Sequence, residues 1–163
     1  MAVNVAYTSP VNKPGQEPVL TADDVWTGIV ATVRRPQDFV DYISHLDIFD
    51  DTGLTLRRIL HFVPEASHSA PGGKLDQNVT IVPDLKVEFV AAATGKAILS
   101  VSKDAEGDQV YMTQSFEVAY PPGVEAGSPE AVKQHEHLTR VVKSNVLSNI
   151  ESFRQLKAKG SKA

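Results

Sequence analysis

The chain has no cysteine in its 163 residues, which excludes a disulfide framework, a thiolate zinc site and a cysteine nucleophile. Positive charge is not in excess either. Sixteen Lys and Arg stand against twenty Asp and Glu, a formal net charge of −4, so no general attraction to nucleic acid or to an anionic membrane surface is expected. Neither a bilayer-spanning apolar run nor, between Met1 and Pro14, the basic start and apolar stretch of a secretory leader is visible. A cytoplasmic location is therefore expected, and with it an unmodified Asn78-Val79-Thr80 sequon. Missing too are a G-x-S-x-G elbow, a dinucleotide fingerprint and a carboxylate pair in a recognisable frame. Pro71-Gly72-Gly73-Lys74 ends like a phosphate loop but lacks the full spacing and a following helix, so it reads as a mobile loop. His135 and His137 lie two apart on a predicted helix and project to different sides, unlike an i, i+4 ligand pair. No metal and no cofactor is expected.

What is present is a composition of 42% hydrophobic and 22% charged residues, which suits one soluble domain with a real core. The pattern predicts that domain over residues 1–157, followed by a disordered basic tail at 158–163. Val3 to Tyr7 alternates and runs into Ser9-Pro10, as a strand entering a loop. Thr21 and Asp24 form a capping pair ahead of Val25, Trp26, Ile29, Val30 and Val33 at helical spacing. Pro36 stops that helix and opens a second short one carrying Phe39, Val40, Tyr42 and Ile43. Beyond His45 the period falls to two, and turn residues divide six strands: 46–49, 54–63, 75–82, 85–92, 96–103 and 109–119. Connections this short suit an antiparallel meander rather than βαβ units. Ser128-Pro129 then caps a long helix reaching about Lys157, with Val132, Leu138, Val141, Val142, Val146, Ile150, Phe153 and Leu156 on one face.

This α+β order resembles the Bet v 1-like, or START-like, helix-grip fold, in which a curved seven-stranded antiparallel sheet wraps a long C-terminal helix. Within that superfamily the phrasing is similar to the family named after acetylaranotin biosynthesis cluster protein L. The residues carrying the likeness are Val5-Ala6-Tyr7, Pro10-Val11-Asn12, Leu20-Thr21 with Val25-Trp26, Arg35-Pro36 with Phe39-Val40, Gly53-Leu54 with Arg57, Thr94-Gly95, and Tyr111-Met112-Thr113 with Phe116-Glu117. The resemblance implies an apolar cavity between sheet and helix. It also implies a hydrophobic or aromatic small molecule as partner, in secondary, polyketide-like metabolism, with the chain a monomer or homodimer.

Side chains on the predicted cavity faces are the site candidates. On the last helix a wheel brings His135, Thr139, Asn145 and Asn149 to or beside the buried face near Val142, and His135 is the one able to exchange a proton near neutral pH. On the strand 54–63 either parity turns one arginine inward, Arg57 or Arg58, to anchor an acid, enol or phenolate. Apolar density favours the Leu54 face, whereas the resemblance stresses Arg57. On strand 109–119 the face carrying Met112, Gln114 and Phe116 is the expected lining, with Trp26, Phe39 and Tyr42 as core or wall. Two functions are compatible with this set. One is a binding protein; the other is an enzyme that cyclises, dehydrates, isomerises or hydrolyses its ligand, with Arg57 or Arg58 stabilising an enolate and His135 moving the proton. His61 and His68, flanking Pro64-Glu65, and Asp50-Asp51 are read as solvent-facing.

Overall fold

The computed structural model describes residues 2–65, 71–92 and 94–160. Strand β1 (Ala2–Pro10) leads through a loop to helix α1 (Ala22–Arg34) and a 3-10 turn at Pro36–Asp38. Strands β2 (Ile43–Phe49), β3 (Thr55–Phe62), β4 (Lys74–Val82), β5 (Lys86–Ala91), β6 (Gly95–Lys103) and β7 (Val110–Ala119) follow, and α2 (Pro129–Gly160) closes the chain. The strands form one antiparallel sheet in the order β1-β7-β6-β5-β4-β3-β2. Everything from β2 to β7 is a meander; α1 carries the chain from one edge strand to the other. This is the helix-grip architecture, with the sheet's inner face and the two helices enclosing the core.

Local chemistry accounts for the helix ends. Thr21 Oγ1 accepts from the Asp24 amide while the Asp24 carboxylate accepts from the Thr21 amide at 2.7 Å, a closed capping box. Val25, Ile29 and Val33, fully buried, seat α1 on the sheet. The C-terminal end of α2 is tied to the loop after β1. The buried Arg154 guanidinium donates to the carbonyls of Val11 (2.7 Å) and Pro18 (2.6 Å), and Lys157 Nζ donates to Val19 O and lies 2.6 Å from the Asp24 carboxylate. Where α1 crosses α2, Gly28 faces the Phe153 ring so closely that a Cβ would stand 2.4 Å from it.

Three predicted boundaries move. Instead of a second helix through Ile43 there is only the turn at Pro36–Asp38, because Ile43 already pairs with Phe62 and opens β2. Strand β1 extends to Pro10, held by its register with Tyr111 on β7. Helix α2 reaches Gly160, so residues 158–160 of the predicted tail are its last turn. His68 lies outside the described residues; of the predicted mobile loop, Pro71–Gly73 form a 3-10 turn with Gly72 at φ 68° and Lys74 opens β4. Among the described residues no helix is long and apolar enough to cross a membrane.

Candidate functional site

Between the sheet and α2 lies a cavity with two adjoining chambers of about 230 and 870 Å³. Tyr42, Phe62, Leu75, Gln77, Phe89, Ala97, Phe116 and Asn145 border both. Their apolar walls come from alternate positions of β3 to β7, as strand parity requires. The smaller chamber adds Thr32, Arg58, Gln114, Ser148 and Asn149; the larger adds Thr94, Lys96, His137 and Ser144. Among the described residues no carboxylate lines either chamber.

Arg58 is the central charge of the smaller chamber. Parity turns it inward between Leu56 and Leu60, and it is 5% exposed. Its Nε donates to Gln77 Oε1 at 2.9 Å, and Nη1 donates to the carbonyls of Thr32 (3.0 Å) and Val33 (2.7 Å). Those are carbonyls at the C-terminal end of α1, which need donors and carry the helix's partial negative charge. The guanidinium carbon also sits 4.6 Å from the centre of the Phe89 ring. Backbone dipoles, an amide and a ring thus hold the cation without a carboxylate. Burial accordingly lowers its pKa to about 10, so the side chain remains charged at neutral pH.

Gln114 stands on β7, 7% exposed, and its Oε1 is buried without a hydrogen-bond donor. A buried acceptor in that state awaits a hydroxyl, an amide or water. Asn145, Ser148 and Asn149 line the α2 wall of the same chamber. Tyr42 joins the chambers, its ring stacked on Phe62 with centroids 6.0 Å apart. Burial of the phenol pushes its pKa up, although 44% of the residue is open to solvent.

The structure therefore brings together Arg58, Tyr42, Gln114, Phe116, Asn145 and Asn149 from the sequence candidates. The others lie elsewhere. Arg57 is on the opposite face of β3, exposed, hydrogen-bonded to Asp76 and 5.6 Å from the Phe49 ring. His135 is exposed, because α2 runs along β1 in the same direction, Val142 packing on Val3 and Val5 and Arg154 reaching Val11, so that His135, two turns before Val142, lies beyond the strand's first residues. Thr139 is exposed too, its hydroxyl bonded to the His135 carbonyl. Val142 and Met112 are fully buried in apolar clusters, and Trp26 packs against the main one. The histidine bordering the larger chamber is His137, itself exposed. It begins a stripe, with Val141, Ser144, Asn145 and Ser148, at a spacing that faces one side of a helix. Gln77 was also overlooked; its alternation with Leu75, Val79 and Ile81 on β4 was the available signal.

Residues 5–160 match the family described as acetylaranotin biosynthesis cluster protein L. The Aspergillus terreus protein of that name is 25% identical over 159 residues, covering 96% of this chain and 91% of the relative. Among solved structures, the di-domain ARO/CYC StfQ of the steffimycin pathway superposes with a TM-score of 0.68 at 12% identity. That alignment covers 99% of this chain and 53% of StfQ, so this chain spans about half of that protein's length. Norcoclaurine synthase from Thalictrum flavum gives 0.59 at 16% identity, covering 96% of this chain and 88% of its own. The ZhuI aromatase/cyclase from Streptomyces sp. R1128 gives 0.58 at 17%, covering 95% and 93%. These three share the fold.

Proposed function

Because the chain belongs to the acetylaranotin biosynthesis cluster protein L family, we propose that its cavity binds an aromatic or polyketide-like small molecule as a tailoring protein of secondary metabolism. The observation that carries this reading is Arg58: a buried cation, without a carboxylate partner, on the wall of an otherwise largely apolar chamber. Such a group suits an enolate, phenolate or carboxylate oxygen, since the helix carbonyls already hold it in place and charge-assisted bonds are strong in low dielectric. Gln114 Oε1 accepts a ligand hydroxyl, and the aromatic and aliphatic walls bury the ring system at about 25 cal/mol per Å² of apolar surface. The family's name and the aromatase/cyclase names of two fold relatives support this ligand class.

The test is a paired titration with aromatic or polyketide-like acids and their methyl esters, read by native mass spectrometry. Wild-type protein retains the acid about tenfold or more better than the ester, and Arg58→Met erases the preference. Equal retention of acid and ester by wild type overturns the reading.

A second reading, catalysis, is favoured by His137 and Tyr42 on the larger chamber, where two groups capable of proton transfer border the space beside Arg58's chamber. Cyclisation, dehydration, isomerisation or hydrolysis would then run with Arg58 holding the developing oxyanion and His137 moving the proton. Chromatography of the same incubations separates the two readings. A new or isomeric product, about a hundredfold slower in His137→Gln, establishes catalysis; recovery of every compound unchanged leaves binding alone.

A further inference from the structure

On the outer face of the sheet, away from the cavity, His45, Asp47 and His61 bring one ligand atom each to within 4.8 Å of one another. Strand geometry explains the grouping. His45 and Asp47 are two apart on β2 and share its outer face, while His61 on β3 is the register partner of His45. The two imidazoles stack with centroids 3.8 Å apart, and His61 Nε2 lies 2.7 Å from Asp47 Oδ2.

We propose that this triad is a binding site for a divalent ion of the zinc class, with three protein ligands and the remaining position left to water. Two imidazoles and one carboxylate form a donor set suited to zinc and its neighbours in the first transition row. The tautomer argument strengthens it. Ser44 Oγ donates its single proton to the His61 carbonyl at 3.0 Å, so its contact with His45 Nδ1 at 3.2 Å is one in which the imidazole donates. That leaves the lone pair of His45 on Nε2, ready to ligate, with a hydroxyl behind it in the orienting role that metal-bound histidines commonly have. At His61 the ion takes the place of the proton shared between Nε2 and Asp47. Tetrahedral zinc holds its ligands at about 2.0–2.2 Å, so His61 Nε2 and Asp47 Oδ2 must open slightly from 2.7 Å and the third ligand atom must swing to join them, side-chain rotations that two exposed residues and one partly exposed residue permit. The neighbouring Asp76 carboxylate is already engaged by Arg57. The cation nearest in register is Lys74, exposed and opposite His61 on β4.

The experiment uses untagged full-length protein stripped with chelator and titrated calorimetrically with Zn²⁺, then with Co²⁺ while its visible absorption is followed. One ion per chain is expected, with an absorption band of imidazole-ligated Co²⁺. His45→Ala and His61→Gln should each weaken binding by about tenfold or more, and Ser44→Ala by a smaller factor. Asp47→Asn, which keeps the shape but not the charge, should weaken it as well, whereas His135→Gln should leave it unchanged. Circular dichroism in chelator confirms that the variants fold. Absence of binding in wild type, or a titration unaltered in the folded His45→Ala/His61→Gln double variant, overturns the proposal. Neither result bears on the cavity.

Discussion

A buried amide oxygen without a donor costs about 1–3 kcal/mol, and Gln114 Oε1 bears that cost on an otherwise well-packed strand. Its retention makes sense where a ligand supplies the donor. Gln114→Leu should therefore raise the unfolding free energy of the ligand-free protein by about 1 kcal/mol while lowering affinity for a hydroxylated aromatic severalfold. Urea unfolding and titration of the same preparations check both halves, and a variant less stable than wild type would show that the amide is already satisfied in the free protein. Arg58 poses the converse problem, a charge that the fold destabilises and still keeps. Its folded pKa of about 10 lies below the ordinary guanidinium value, so the unfolded chain binds the extra proton between the two. The group's burial cost is therefore full below about pH 10 and is relieved as pH rises above it. Anion binding follows the opposite course. Affinity for an aromatic carboxylate should be flat from pH 7 to 9 and fall as pH passes through about 10, whereas Arg58→Met should show no such fall; a wild-type profile that stays level through pH 11 would remove the guanidinium from the contact.

At the scale of elements, the crossing of α1 and α2 places Phe153 against Gly28 and fixes how closely the long helix approaches the short one. Alanine ordinarily stabilises a helix interior relative to glycine by about 1 kcal/mol, but a Cβ 2.4 Å from the Phe153 ring has no room. Gly28→Ala should cost about 1–3 kcal/mol by overpacking, and adding Phe153→Leu should return part of that loss. Thermal unfolding of the single and double variants measures it; a single variant as stable as wild type would mean that the helices separate freely. Elements were also where the sequence was most readable. The capping box, the proline stops and the period-two runs located both helices and all seven strands, since those signals are local. The parity of β7 likewise brought out Gln114, and that of β3 narrowed the inward cation to Arg57 or Arg58, because inward and outward residues alternate strictly along a strand. The wheel for α2 was less informative. It looks for the buried face alone, whereas α2 uses two: Val142 and Val146 are buried in apolar clusters, while Val141 and the exposed His137, Ser144 and Ser148 border the cavity. His135 shares the first direction but lies beyond the first residues of β1. The β2–β3 triad is hidden for a related reason: its ligands are not at a fixed spacing along one element, and the cross-strand register of His45 and His61 exists only once the hairpin is formed.

Over the whole molecule, packing and anchoring are unevenly distributed along α2. Its C-terminal third is fixed to the loop after β1 by Arg154 and Lys157 and to α1 by Phe153. Its N-terminal half borders the 870 Å³ chamber, where His137, Val141 and Ser144 face space rather than packed side chains. Local stability follows the density of buried contacts, so this half should open first, with the anchored end as the pivot. A ligand that fills the cavity supplies the missing contacts, stabilising the closed state by mass action. Hydrogen exchange read by mass spectrometry should therefore show peptides from residues 131–145 exchanging before those from 148–158. A bound aromatic acid should slow the first set strongly and the second little. In Arg58→Met that protection should be lost at the same ligand concentration, although the free variant keeps the same gradient along the helix. Uniform exchange along α2 would contradict the uneven anchoring. Protection confined to β2 and β3 would place the ligand outside the chamber that Arg58 and Gln114 line, because a molecule held there must touch the α2 wall at Asn145, Ser148 and Asn149.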